Sequence, residues 1–157
     1  MNNEVVCLAE AMPLIEEILA ADGEFRFYPK GKSMLPLIVE ERDSVILKRW
    51  NPESIKKRAL LLYRRDNGQY VLHRMMKREA NGTFSMCGDN QYVWERGIRS
   101  EQIIGYVPVL YRKDRPIKDD AIIYRLYSTV WSWRWIRTPL FFVKRILGRI
   151  KRAFKKA

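Results

Sequence analysis

ALLLYRRDNGQYVLHRMM, residues 59–76, decides how the rest of the chain is read. Two runs rich in apolar and aromatic residues, 59–65 and 70–76, flank Asp66-Asn67-Gly68. Those three residues tolerate positive φ and suit a tight connection between antiparallel strands, so the stretch predicts a β-hairpin. A second turn signal at Asn81-Gly82, just before TFSMCG at 83–88, gives YVLHRMM a neighbour on each side. It therefore reads as an interior strand.

Working outward, FRFYP at 25–29, SVILK at 44–48 and IIGYVPVLYR at 103–112 share this texture of short β-branched and aromatic runs. Residues 25–118 are expected to form a mainly β, antiparallel body. Before it, Val5, Leu8, Met12, Ile15, Ile18 and Leu19 recur at helical spacing, with Gly23 beyond them. This predicts an amphipathic helix over residues of roughly 4 to 21, within an N-terminal segment 1–24. After the body, residues 119–157 read as a helical tail. There Leu140, Val143, Leu147, Ile150 and Phe154 form an apolar stripe, and Lys144, Arg145, Arg149, Lys151, Arg152, Lys155 and Lys156 fill most remaining positions.

The 157 residues suffice for one domain with a genuine core. The net charge of +12 is unevenly spread: no Asp or Glu follows Asp120, and the ten cations beyond it leave only +2 for the first 120 residues. A nearly neutral body with a cationic, aromatic tail points to chemistry in the body and an anionic surface, phospholipid or nucleic acid, as the partner of the tail. Trp131, Trp133, Trp135, Phe141 and Phe142 among so many Arg and Lys suit a bilayer interface. No charge-free run of 18 residues occurs, so the tail is expected to lie on a membrane rather than to span one. The N-terminus lacks the basic start and continuous apolar run of a secretory signal. The expected location is thus peripheral on a membrane through the tail, and otherwise cytoplasmic. Cys7 and Cys87 have no metal-ligand spacing and read as thiols.

Three short pieces carry chemistry: Gly31-Lys32-Ser33-Met34-Leu35-Pro36, Val71-Leu72-His73-Arg74-Met75 and Gly88-Asp89-Asn90. A serine hydroxyl is a weak nucleophile near neutral pH and needs a neighbouring base to take its proton. His73 is the only histidine in the chain, and an ordinary imidazole titrates near neutrality. Gly31 permits close approach of the chain, and Pro36 stiffens the stretch that holds Ser33. Backbone N–H groups of Ser33 and Met34 are candidate oxyanion donors.

In order and separation, 40 residues from Ser33 to His73 and 16 from His73 to Asp89, these pieces resemble the signal-peptidase and LexA-like serine peptidases of the S24/S26 type. The resemblance covers about residues 26–115. It implies that family's β fold, an endopeptidase using an acyl-enzyme, no cofactor or metal, and an extended protein or peptide segment as substrate. Bacterial signal peptidases carry Lys at the base position; His73 makes this chain similar to the endoplasmic-reticulum and archaeal type. An imidazole that accepts from Ser33 benefits from an acidic partner; Asp89 is the first candidate, and the resemblance offers Glu95 as the second. Glu95 stands where the His-type enzymes have Asp, and its neighbours Arg96 and Arg99 also permit a simple surface ion pair. The chain departs from the family pattern at Lys57-Arg58-Ala59, where Gly-Asp is usual. A second function class is an inactive relative that binds a membrane or nucleic acid through its tail. Nucleic acid is the less expected partner, since the N-terminal helix shows nothing resembling a helix-turn-helix.

Overall fold

The structure is a computed structural model in which residues 8–132 are described. The first helix, α1, runs Leu8–Ala20 and buries Met12, Ile15 and Leu19 on one face. Each such side chain contributes roughly 1.5–3 kcal/mol by leaving water. The helix stops where Asp22 turns left-handed, at φ 56°, and the Gly23 N–H returns to the Ile18 carbonyl at 2.8 Å. Positions 4–7 of the expected helix, and Cys7, lie outside the described residues.

Eight strands follow: β1 (Glu24–Phe27), β2 (Asp43–Lys48), β3 (Leu60–Arg64), β4 (Tyr70–Arg78), β5 (Phe84–Cys87), β6 (Glu95–Ile98), β7 (Ile103–Arg112) and β8 (Arg115–Lys118). They form one antiparallel sheet in the order β1-β2-β7-β3-β4-β5-β6, with β8 paired to β7. The expected hairpin is β3–β4, closed by Gly68 at φ 85°, and β4 lies between β3 and β5 as an interior strand. A second helix, α2 (Ile122–Ser132), completes the described chain. The architecture is therefore mainly β, with a helix at each end.

Because successive strand residues point to opposite faces, β3 feeds two cores. Leu60 and Leu62 join Leu72, Val45, Leu47, Leu110 and the buried face of α1. Leu61 and Tyr63 join Met75, Phe84, Met86, Ile98 and Ile103. On β4 the same alternation separates neighbours: His73 pairs in register with Leu61, and Arg74 with Leu60. His73 thus shares a face with Tyr63, while Arg74 is directed toward α2, where it meets Tyr124.

Candidate active site

Ser33 sits in a turn between β1 and β2. Gly31, just before it, is left-handed at φ 96°, and its N–H donates to Glu40 Oε2 at 3.1 Å. The Leu35–Pro36 peptide is cis, and Met34, Leu37 and Ile38 plug into the core beneath. The turn after β5 holds the loop from the other side. Asn90 donates its backbone N–H to the Ser33 carbonyl at 2.7 Å and its side-chain amide to the Lys32 carbonyl at 2.9 Å. Gly88 packs so tightly here that an added Cβ would lie 2.6 Å from the Ser33 oxygen. Only glycine fits without displacing the loop.

Ser33 and His73, 40 residues apart in sequence, line one cavity of about 210 Å³ together with Gly31, Met34, Arg65 and Gln91. No hydrogen bond joins the Ser33 hydroxyl to His73 in this structure. Among the described residues, no hydrogen bond runs from the Ser33 or Met34 backbone N–H to a protein acceptor.

The imidazole is buried, with 2% of its residue surface exposed. Burial pushes its pKa down to about 4, against a weaker upward pull from the Glu95 charge. An ordinary imidazole titrates near neutrality; desolvation of the charged form moves this one into the acid range.

The two candidate acids divide differently from their order in the sequence reading. Asp89, the first candidate, makes no hydrogen bond to His73. Its carboxylate accepts from Arg74 Nε and Nη2 at 2.7 and 2.8 Å, and from Tyr127 OH at 3.1 Å, in a fully buried setting. It anchors the turn beside Ser33. Glu95, at the start of β6, is the acid on the His73 side. Tyr63 OH lies 2.6 Å from Glu95 Oε2 and 3.1 Å from His73 Nδ1. Arg65 clamps the same carboxylate through Nε at 2.7 Å and Nη2 at 2.6 Å. Burial alone would raise the Glu95 pKa, but the hydrogen bonds from Arg65 and Tyr63 and the Arg65 charge bring it below the usual carboxylate value. Arg99, read as a possible partner of Glu95, instead pairs with Asp66.

Tyr63, Arg65, Arg74, Tyr127 and Trp131 escaped the sequence reading as site residues. The period-two pattern of β3 held a signal for the first two, since Leu61, Tyr63 and Arg65 share the face that meets His73. For the α2 residues there was no such signal. Trp131, read as an interfacial tail residue, stacks on Tyr127 and donates Nε1 to the Asp89 carbonyl at 2.7 Å. The part of the segment 119–157 that forms α2 is thus tied to the β body, and the stripe from Leu140 to Phe154 lies outside the described residues. Arg58, at the departure from the family pattern, is left-handed at φ 66° and offers its carbonyl to Arg74 Nη1 at 2.7 Å.

No helix among the described residues is long and apolar enough to cross a membrane. Compared with protein-family models, curated proteins and solved structures, the chain finds no match in any of the three.

Proposed function

We propose that this chain is a serine endopeptidase of the signal-peptidase-like type, cleaving an extended protein or peptide segment with Ser33 as nucleophile and His73 as base. The observation that carries this reading is the shared cavity: two distant residues of the right chemistry line one cleft. The antiparallel sheet with its helices is compatible with that peptidase fold and supports the reading at the level of architecture.

In the proposed reaction, Ser33 Oγ attacks the scissile carbonyl as its proton passes to His73. The oxygen of the tetrahedral intermediate takes its hydrogen bonds from the Ser33 and Met34 N–H groups. Collapse breaks the C–N bond, His73 returns the proton to the departing amine, and an acyl-Ser33 remains. Water, deprotonated by His73, then releases the acid and restores the hydroxyl. A base depressed to about 4 is neutral throughout the physiological range. The neutral form is therefore available, but the same burial weakens it as a proton acceptor, so the imidazolium formed in the transition state depends on the Glu95 charge for stabilisation.

The same reading places the enzyme peripherally on an anionic membrane. Ile122, Ile123 and Leu126 are 77%, 78% and 60% exposed on α2. They precede the cationic tail in sequence, and exposed apolar residues on a helix next to a basic segment suit a lipid interface. The test of the catalytic reading is reaction with an electrophilic serine probe, followed by intact-protein mass. One adduct on the wild type and none on Ser33→Ala supports it; equal labelling of both removes Ser33 from the mechanism.

A further inference from the structure

Tyr63 is completely buried, and its hydroxyl lies 2.6 Å from Glu95 Oε2 and 3.1 Å from His73 Nδ1, with the Arg65 guanidinium also hydrogen-bonded to it. A phenol has one hydrogen to give. Glu95 is held by two hydrogen bonds from Arg65, at 2.7 and 2.6 Å, and an ionised carboxylate accepts only. The shorter contact therefore takes the phenolic hydrogen. The phenolic oxygen is left to accept, from Arg65 and from His73 Nδ1, and with no hydrogen of its own to give the imidazole it calls for the ring hydrogen on Nδ1. Nε2 is left unprotonated.

We infer that Tyr63 is a positioning residue that links Glu95 to His73 and holds the imidazole in its Nδ1–H form, with Nε2 free to take the Ser33 proton. In the usual arrangement a carboxylate contacts the imidazole directly. Here a phenol is interposed, and Arg65 sets the direction of the chain by keeping Glu95 an acceptor. As Nε2 gains the Ser33 proton, the positive ring strengthens its Nδ1–H bond to Tyr63, and the phenol in turn donates more strongly to Glu95. No proton leaves Tyr63. The register explains how the three groups meet: Tyr63 lies opposite Val71, one diagonal step from His73 on the same face of the β3–β4 pair.

This inference rests on the peptidase reading for its purpose, but its test does not need turnover. His73 is the only histidine in the chain, so protein labelled with 15N-histidine gives a single imidazole in a long-range 1H–15N spectrum recorded at neutral pH. The expected wild-type result is a protonated Nδ1 and an unprotonated Nε2. In Tyr63→Phe, which keeps the ring and removes the hydroxyl, the Nε2–H form should gain population, and turnover should fall at least tenfold in kcat with little change in KM. If Tyr63→Phe does not fold, Glu95→Gln replaces it: with a neutral amide the phenol is no longer bound to donate outward, and a second tautomer should emerge. A wild-type Nε2–H form, or an Nδ1–H form unchanged in the folded variant, overturns the relay. Failure of the serine probe with the expected tautomers intact would overturn the peptidase reading instead.

Discussion

Arg74 and Asp89 face each other through two near-parallel hydrogen bonds of 2.7 and 2.8 Å, each residue only 1% exposed. They connect the strand that carries His73 to the turn that braces Ser33. Burial works against the Arg74 charge, but the attraction and hydrogen bonds of Asp89 outweigh it and raise its pKa further. Removing one partner leaves the other charged and uncompensated in the interior. Asp89→Asn should cost about 3–5 kcal/mol in urea unfolding, whereas Arg74→Met combined with Asp89→Leu should cost less than the sum of the single changes. Wild-type stability in Asp89→Asn would show that the pair carries no structural burden.

Gly88→Ala tests the contact between the two turns. Its Cβ would sit 2.6 Å from the Ser33 carbonyl and 3.0 Å from Gln91 Oε1. The Ser33 backbone must retreat, and displacement of about 1 Å at a reacting group costs on the order of 100-fold in rate. Acylation by the serine probe should slow by at least tenfold in a protein that remains folded by circular dichroism. Unchanged acylation would mean that the loop absorbs the methyl without moving Ser33.

The pH dependence follows from the depressed His73 value, about 4 against the ordinary 6.5. Between these values the unfolded chain binds a proton that the folded chain refuses, so stability falls as pH drops from about 6.5 to about 4. Above 6.5 this contribution is complete and flat. Its size is on the order of 3 kcal/mol, read as the difference in unfolding free energy between wild type and His73→Gln across that window. The rate profile should likewise rise near pH 4 and stay level from mildly acid to neutral pH. A rate that halves near pH 6.5, with chemistry limiting, would contradict the burial of the base.

Membrane attachment is tested with vesicles containing anionic lipid. Full-length protein should co-sediment, less so at high salt, because each basic side chain near such a surface contributes about 1 kcal/mol. Deletion of residues 139–157 should release most of it, and Ile123→Glu with Leu126→Glu should weaken the remainder. Equal sedimentation of all forms would mean that neither the tail nor the exposed face of α2 meets lipid.

The β body was legible because β2, β3 and β5 are buried runs, and β1, β4 and β7 are partly buried runs, all rich in apolar or aromatic residues between clear turns. β6 and β8 were not. ERGI carries two charges and a glycine at φ 77°, and RPIK carries two charges and a proline; both are short, and neither alternates visibly. Ser33 and His73 stand out through local motifs, and the structure brings both to one cavity. The acid on the His73 side was not resolved, because Asp89 and Glu95 look alike in sequence. What separates them is cross-sheet geometry: Arg74 on the opposite face of β4 takes up Asp89, and Tyr63 reaches Glu95. The role of α2 was hidden for a similar reason. Its Tyr124, Tyr127 and Trp131 act through hydroxyl and indole groups on a buried ion pair and its turn, and no helical periodicity encodes such partners.

The most direct test of Ser33–His73 peptidase chemistry is digestion of a proteome-derived peptide library by wild-type, Ser33→Ala and His73→Ala proteins, with new termini read by mass spectrometry at neutral pH. The expected result is a set of cleavages with a shared residue preference in the wild type, absent from both variants, which keep the wild-type fold by circular dichroism. Cleavage that persists in Ser33→Ala, or a wild-type digest no different from that of Ser33→Ala, would contradict it.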